Sequence, residues 1–171
     1  MIQLVKIDQI SNEQIIEYQK EFLKNHEIIH GSNGLTTEFD IVKWRKRVLK
    51  NEISPPSNLV PSTQFLLIDE KINLVGMLDL RHKLTPHLEK EGGHIGYSIR
   101  KSFRGAGYAK EGLRQALKIA KDKFDLNKVL LTCDSDNYVS KSVILSSGGK
   151  LDNRIEMNKK IVERYWIELN D

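Results

Sequence analysis

The sequence has little of several features that mark special classes of protein. One cysteine, Cys133, among 171 residues excludes an internal disulfide and therefore a small disulfide-stapled fold. Only 4 prolines and no repetitive tract argue against a disordered or collagen-like chain. No apolar run approaches the roughly 20 residues that cross a bilayer, and the first six residues lack the apolar core of a secretory signal. We expect a cytoplasmic protein with no membrane partner.

Positive and negative side chains are also nearly balanced in number. Lys+Arg 27 against Asp+Glu 23 leaves a net charge of +4, which is too weak to indicate nucleic acid by itself. Hydrophobic residues make up 39%, and a chain of this length buries roughly 70% of its surface on folding. We therefore expect a single domain over residues 1–171.

Local patterns predict a strand, two helices and a hairpin in the first half. Alternation favours a strand over 1–7, and Ser11 with Gln14 forms a capping box that starts a helix. A second helix is predicted over 38–49 and ends before Pro55-Pro56. Strands follow over 65–68 and 74–80, joined by a polar turn.

The second half predicts a strand over 95–100, a helix over 108–124, a strand over 128–133, a helix over 138–147 and strands over 150–157 and 161–169. The strand–helix–strand unit from 93 to 133 predicts two parallel strands with a right-handed crossover. The segment 82–92 reads as a charged loop.

The turn Arg104-Gly105-Ala106-Gly107-Tyr108-Ala109 lies between a predicted strand and a predicted helix. The first amides of a helix lack internal partners and carry the positive end of its dipole, so they can receive an anion that glycine lets approach closely. Basic side chains surround the turn: Arg100, Lys101, Arg104 and Lys110. The alternative is that the glycines only shape a tight connection.

Arg104-x-x-Gly107-x-Ala109 resembles the signature of the GNAT superfamily of N-acetyltransferases. The similarity continues through the following helix and strand to Asn137-x-x-Ser140 and Gly148, and it covers about residues 64–149. The chain looks most like a bacterial subgroup described only as predicted acetyltransferases.

The resemblance implies an α/β (α+β) fold, with one mixed, mostly antiparallel sheet of about seven strands flanked by helices and a parallel fourth and fifth strand. It implies acetyl-CoA as co-substrate and an amine of a small molecule or peptide as acceptor. The backbone amide of Ile99 becomes the expected oxyanion donor. The residues implied to bind coenzyme A are Ile99, Arg100, Arg104, Gly105, Ala106, Gly107, Tyr108, Ala109, Asn137 and Ser140. Asn137 is alternatively a plain helix cap.

Two positions depart from the family pattern. His94 stands where many members have a glutamate base, so we expect it to act as the base; the alternative is a strand histidine whose hydrogen bonds are satisfied. Ile144 stands where members often have a tyrosine general acid. These departures motivate a second hypothesis, a coenzyme A-binding module with impaired catalysis.

Other groupings are weaker. The histidines and glutamates of residues 82–94 match no zinc spacing, so we expect no metal. Basic residues of the second predicted helix could bind nucleic acid, but a solvated face is the stronger interpretation, and we expect no nucleic-acid partner; they are Lys43, Arg45, Lys46, Arg47 and Lys50. Whether the chain is a monomer or a homodimer stays open.

Overall fold

The structure is a computed structural model and describes residues 1–170. Seven strands and five α-helices follow one another along this part of the chain. Their bounds are β1 Gln3–Lys6, α1 Asn12–Lys24, α2 Ile41–Ile53, β2 Ser62–Ile68, β3 Leu74–Arg81, α3 Pro86–Lys90, β4 Ile95–Ile99, α4 Tyr108–Phe124, β5 Lys128–Asp134, α5 Tyr138–Ser146, β6 Lys150–Met157 and β7 Lys160–Glu168.

Capping side chains set where the first helices begin. The hydroxyl of Ser11 accepts a hydrogen bond from the Gln14 amide at 3.2 Å, which confirms the predicted start of α1. The carboxylate of Asp40 caps α2 in the same way, so this helix begins three residues later than predicted and continues to Ile53. Thr85 caps the short helix α3, which lies in the segment predicted as a loop.

The strands form two antiparallel sheets, ordered β1-β2-β3-β4 and β5-β7-β6. The expectation of one seven-stranded sheet with a parallel β4/β5 pair is therefore wrong, although the predicted order of the elements holds. β4 is the last strand of one sheet and β5 the first of the other. Their edges face each other across a gap.

The His94 side chain interrupts backbone pairing between the segments of β4 and β5 after a single backbone hydrogen bond. The His94 amide donates to the Leu130 carbonyl at 2.8 Å, but the Leu130 amide donates to Nδ1 of the His94 ring at 2.9 Å instead of to a backbone carbonyl. The two backbones approach closely at this point, because a Cβ on Gly93 would lie 2.3 Å from the Leu130 oxygen. Beyond this point no ladder joins the two strands within residues 1–170.

Helices cover both faces of the four-stranded sheet. On one face α1 and α2 contribute Tyr18, Phe22 and Trp44 to a buried cluster. On the other, α4 contributes Leu113 and other small or aliphatic side chains to a cluster that also includes residues of β5, α5 and β7. None of the helices within residues 1–170 is long and apolar enough to cross a membrane.

The basic residues of α2 do not form one solvated face. The guanidinium of Arg45 donates to the Asn12 side chain at 2.6 Å and to the carbonyls of Ile7 and Ile10. Arg47 bonds to Glu38 at 3.1 Å and to the Asn33 carbonyl at 2.9 Å. Two of the five positive charges therefore hold neighbouring segments together, which leaves less basic surface than the sequence suggested.

Candidate functional site

A cleft of about 870 Å³ opens where β4 and β5 separate. One end is lined by the turn before α4 and by α5, and the other by the loop after α1 and by the end of β3. The first group includes Arg104, Gly105, Gly107, Tyr108, Ala109, Lys110, Asn137 and Ser140. The second includes His26, Ile28, His30, Gly31, Arg81, Glu91 and Gly92. Glu27 lies between the two groups, paired with Arg104. The cleft therefore extends from the start of α4 to the loop after α1.

The wall formed by β4 presents backbone amides to the cleft. The Arg100 amide donates to the Val75 carbonyl at 2.9 Å, and Ser98 lies opposite Met77, so the even-numbered residues bond to β3. In an antiparallel pair, alternate residues point their backbone groups away from the partner strand. The amides of Tyr97 and Ile99 therefore point toward β5, into the cleft.

The turn before α4 is built around two left-handed glycines. Gly105 has φ +84° and Gly107, the N-cap of α4, has φ +77°. A Cβ at either position would meet nothing within 4 Å, so glycine is required here by the backbone angle rather than by packing. The first amides of the 17-residue helix α4 open onto exposed space at the cleft, as a phosphate site requires.

Two of the four basic residues near this turn form ion pairs, one with a carboxylate of α1 and one with a carboxylate of the loop after α1. The Arg100 guanidinium donates to Glu21 at 2.7 Å, and Glu21 also accepts from the Ser102 amide at 2.8 Å. Arg104 forms a two-pronged ion pair with Glu27 and donates to the Ile99 carbonyl at 2.9 Å. Their positive charge is largely balanced. Lys101 donates to the neutral Asn25 side chain at 3.0 Å, so the positive charge that no carboxylate balances rests on Lys101 and Lys110.

Glu21 and Glu27 are held ionised by these contacts. Burial alone would raise the pKa of Glu21, but hydrogen bonds from Ser102 and Arg100 outweigh it and lower the pKa. The hydrogen bond from Arg104 likewise lowers the pKa of Glu27. No local pattern predicts these two pairings, because the partners are about eighty residues apart in the chain.

The start of α5 forms the facing wall. Asn137 is the N-cap, and its side chain accepts from the Ser140 amide at 3.1 Å, so the cap interpretation is confirmed. The Ser140 hydroxyl bonds to the Tyr97 hydroxyl at 2.9 Å across the cleft. Ile144 is fully buried in the core, against the backbone of Gly149.

His94 does not face the cleft. It is 6% exposed, and its Nδ1 lone pair accepts from Leu130, so the neutral ring carries its proton on Nε2 and has no free lone pair. Burial, followed by the charge of Arg81, lowers the pKa of His94 to about 4. These surroundings argue against the expected base role and favour the alternative, a strand histidine with satisfied hydrogen bonds.

The loop after α1 is fixed against the sheet at the other end of the cleft. Gly31, with φ +67°, packs so closely that a Cβ would lie 2.2 Å from the Gly96 oxygen. The Asn33 amide donates to Gln64 at 2.9 Å and to the buried carboxylate of Asp79 at 3.0 Å. The loop is therefore held in a defined position and forms one wall of the cleft.

Among the cleft carboxylates of residues 1–170, Glu91 is the one without an ion-pair partner. Glu27 is paired with Arg104 and Asp134 with Lys160, whereas no cation lies within 4 Å of the Glu91 carboxylate among residues 1–170. The amide of the next residue, Gly92, donates to the Thr132 hydroxyl at 2.8 Å, which anchors this segment beside β5.

Most of the residues predicted for the site do meet. The cleft is lined by Ile99, Arg104, Gly105, Gly107, Tyr108, Ala109, Asn137 and Ser140. The three that stand outside its wall are Arg100, turned toward α1, Ala106, exposed at the tip of the turn, and His94. Residues 1–170 contain no group of three or more His, Cys, Asp or Glu side chains placed to hold a metal ion.

The sequence matches the profile of a family described as "Acetyltransferase (GNAT) domain" over residues 7–150. No curated protein matches it significantly.

Solved structures share the fold at low identity. A ribosomal-protein-S5-alanine acetyltransferase from Vibrio fischeri has a TM-score of 0.70 and 15% identity, with 99% of this chain and 93% of that chain covered. Mutant forms of a spermidine/spermine N-acetyltransferase from Vibrio cholerae have a TM-score of 0.67 and 14% identity, with 98% and 94% covered.

Proposed function

Because the chain belongs to the GNAT family of acetyltransferases, we propose that it transfers the acetyl group of acetyl-CoA directly to an amine of a small molecule or peptide. One observation carries this proposal: the facing edges of β4 and β5 enclose a cleft that leads straight to the left-handed glycine turn at the start of α4. This arrangement supports a donor whose phosphates bind at the turn and whose arm lies along the edge of β4.

The pyrophosphate of the donor binds on the amides from Arg104 to Ala109, where the dipole of α4 favours negative charge. Lys110, exposed at the same end of the cleft, adds a positive charge. The pantetheine arm carries two amide groups, which bond to the edge of β4 in the manner of an added strand. Asn137 and Ser140 border that arm from α5.

The acetyl carbonyl then lies at the end of β4. Attack by the amine places negative charge on the carbonyl oxygen, and the Ile99 amide is a rigid donor aimed into the cleft. The Ile99 carbonyl is held by Arg104 at 2.9 Å, which fixes the peptide plane that orients this part of the strand. No covalent intermediate on the protein is needed, because the acceptor attacks the thioester directly.

The acceptor enters between the loop after α1 and Glu91. An amine must lose a proton to attack, and we assign the base role to Glu91, directly or through water, in place of His94. Replacing Glu91 with Gln should lower kcat about a hundredfold while leaving coenzyme A binding intact, with exposed Glu89→Gln as the matched control. An unchanged kcat in Glu91→Gln would remove Glu91 from the mechanism.

Both polyamine and peptide acceptors are consistent with the proposal. The structural neighbours include a spermidine/spermine acetyltransferase and a ribosomal-protein alanine acetyltransferase, whose acceptors are amines of these two classes. The acceptor end of the cleft carries charges of both signs, from Glu91 and Arg81, and open space beside His26 and His30.

Thermal unfolding with coenzyme A tests the donor site. Ligand at a thousand times its Kd raises the free energy of unfolding by about 4 kcal/mol, which shifts Tm by many degrees. Gly105→Ala strains the turn and should weaken binding at least tenfold. Gly148→Ala is the matched control, since Gly148 also has a positive φ (+90°) and open space but lies outside the cleft. A wild-type Tm unmoved by coenzyme A or acetyl-CoA overturns the proposal.

Release of free thiol on a panel of amines tests turnover. Transfer to any acceptor supports an enzyme. Binding of coenzyme A without turnover on polyamines, amino acids and peptide N-termini supports the second hypothesis, a coenzyme A-binding module.

A further inference from the structure

The Tyr97 hydroxyl bridges the two walls of the cleft. It projects from the middle of β4, and its phenol oxygen lies 2.9 Å from the Ser140 hydroxyl at the start of α5. Both residues line the cleft. A donor arm that runs between the β4 edge and α5 must therefore pass beside this pair.

The Tyr97 phenol is poised to donate a hydrogen bond. Burial raises the pKa of Tyr97 to about 12, opposed in part by the bond with Ser140, so the phenol keeps its proton at neutral pH. The Ser140 hydroxyl can act as donor or acceptor. When Ser140 donates to the phenol oxygen, the phenol proton is free to turn toward a third group in the cleft.

Release of coenzyme A is helped by a hydrogen-bond donor to the leaving sulfur. The position at which family members often carry a tyrosine for this purpose does not supply one here. Collapse of the tetrahedral intermediate leaves an electron pair and a negative charge on sulfur. Ile144, which holds the place of the family tyrosine, is apolar and buried in the core. Tyr97 is two residues before Ile99, so it lies about 6.6 Å from Ile99 along the strand, and its side chain projects from the same face of the sheet as that of Ile99.

Other hydroxyls of the cleft are occupied or distant. The Thr132 hydroxyl accepts from Gly92, and Ser98 is bound to Tyr18 on the other side of the sheet. Tyr108 is the first residue of α4, beside the turn proposed to hold the pyrophosphate.

We infer that Tyr97, oriented by Ser140, is a catalytic residue that donates a hydrogen bond to the sulfur of the leaving coenzyme A thiolate. The inference rests on the proposed function. As the amine nitrogen bonds to the acetyl carbon, the carbon–sulfur bond breaks and its electron pair stays on sulfur. The proton lost by nitrogen is the one that the free thiol finally holds. Tyr97 retains its own proton, because a phenol is a weaker acid than a thiol whose pKa is roughly 8.5.

The acidity of bound coenzyme A tests this role without any acceptor. The pH dependence of alkylation by iodoacetamide, followed by the mass of alkylated coenzyme A, gives the pKa of its thiol in the complex. Tyr97→Phe should raise that pKa by about one pH unit relative to wild type, and Ser140→Ala by less. Tyr138→Phe is the matched control, since Tyr138 is 74% exposed and outside the cleft, and it should give the wild-type value.

Two further readouts separate the possible failures. With a working acceptor, Tyr97→Phe should lower kcat about 10- to 100-fold with little change in the KM for acetyl-CoA. Equal thiol pKa values in wild type and Tyr97→Phe overturn the inference while leaving the proposed function in place. Loss of the coenzyme A-induced Tm shift in a folded Tyr97→Phe also overturns it, because Tyr97 would then be a binding element. A wild-type protein that does not bind coenzyme A overturns both.

Discussion

His94 and Leu130 are joined by two hydrogen bonds of different kinds. The His94 amide donates to the Leu130 carbonyl, and the Leu130 amide donates to the imidazole of His94. A backbone amide that would continue a parallel ladder is thus satisfied by a side chain. The two sheets meet at this residue pair and separate beyond it.

We predict that His94 supports stability rather than proton transfer. His94→Ala leaves the Leu130 amide unsatisfied and removes packing against Trp166, so the free energy of unfolding should fall by about 2–3 kcal/mol in urea titrations at pH 7. His94→Asn keeps an acceptor near the position of Nδ1 and should lose less. A normally stable His94→Ala with abolished turnover would restore the base assignment.

The pH dependence of stability gives a second test of His94. Its pKa falls from the usual value near 6.5 to about 4 on folding, so the unfolded chain binds more protons between these values. The contribution of His94 is complete above pH 6.5 and is lost as the pH falls toward 4, by up to about 3 kcal/mol. Urea titrations at pH 7 and pH 4.5 should show a smaller difference for His94→Asn than for wild type.

Glu21 should couple α1 to the turn before α4. Glu21→Ala removes the acceptor for Arg100 and for the Ser102 amide, so the turn shifts and the guanidinium loses its partner. We expect a loss of about 2 kcal/mol in the free energy of unfolding and weaker coenzyme A binding in calorimetry. Exposed Glu17→Ala, one turn earlier on α1, is the control and should change neither quantity.

Gly31 and Gly34 allow a test confined to the acceptor end. Both have positive φ, but a Cβ on Gly31 would clash with Gly96 at 2.2 Å, whereas one on Gly34 meets only the end of the Arg47 side chain at 3.4 Å. Gly31→Ala should displace the loop and raise the KM for the acceptor at least tenfold, with coenzyme A binding retained. Gly34→Ala should have a small effect. Equal effects of the two substitutions would show that the loop contributes nothing specific.

Glu163 should act as the buried anchor of the second sheet. Burial alone would raise its pKa, but bonds from Tyr165, Arg154 and Lys141 lower the pKa of Glu163 to about 2. Glu163→Gln removes the charge that these groups share. Since Arg154 is largely exposed and can rehydrate, the loss of stability should be about 2 kcal/mol. Exposed Glu156→Gln on β6 is the control for denaturation at pH 7.

Local signals in the sequence were sufficient for most elements. The helix over 108–124 is confirmed residue for residue, because Gly107 and Asp125, both in left-handed conformation, bound a strongly amphipathic segment. α2 begins later than the predicted residue 38. Phe39 has an apolar side chain, as expected for the buried face of this helix, but it is 69% exposed and precedes the cap residue Asp40.

Two features could not be predicted from any local pattern: how the two sheets meet, and how the loop after α1 packs against the four-stranded sheet. Periodicity predicts that β4 and β5 are neighbours, but the bond between the ring of His94 and the Leu130 amide depends on a rotamer and on three-dimensional proximity. The pairing of Arg104 with Glu27 and the fit of Gly31 on Gly96 join distant segments in the same way. The turn before α4 was predictable because its residues are contiguous.

The separation of β4 from β5 also bears on how long the protein survives in a protease-containing environment. A donor molecule that bonds to the edge of one sheet and to the helix beside the other holds the two sheets together, so it binds the folded chain and not the unfolded one. At a hundred times its Kd it lowers the unfolded fraction about a hundredfold. With acetyl-CoA as the donor proposed above, resistance to proteolysis is then expected to rise with the concentration of acetyl-CoA.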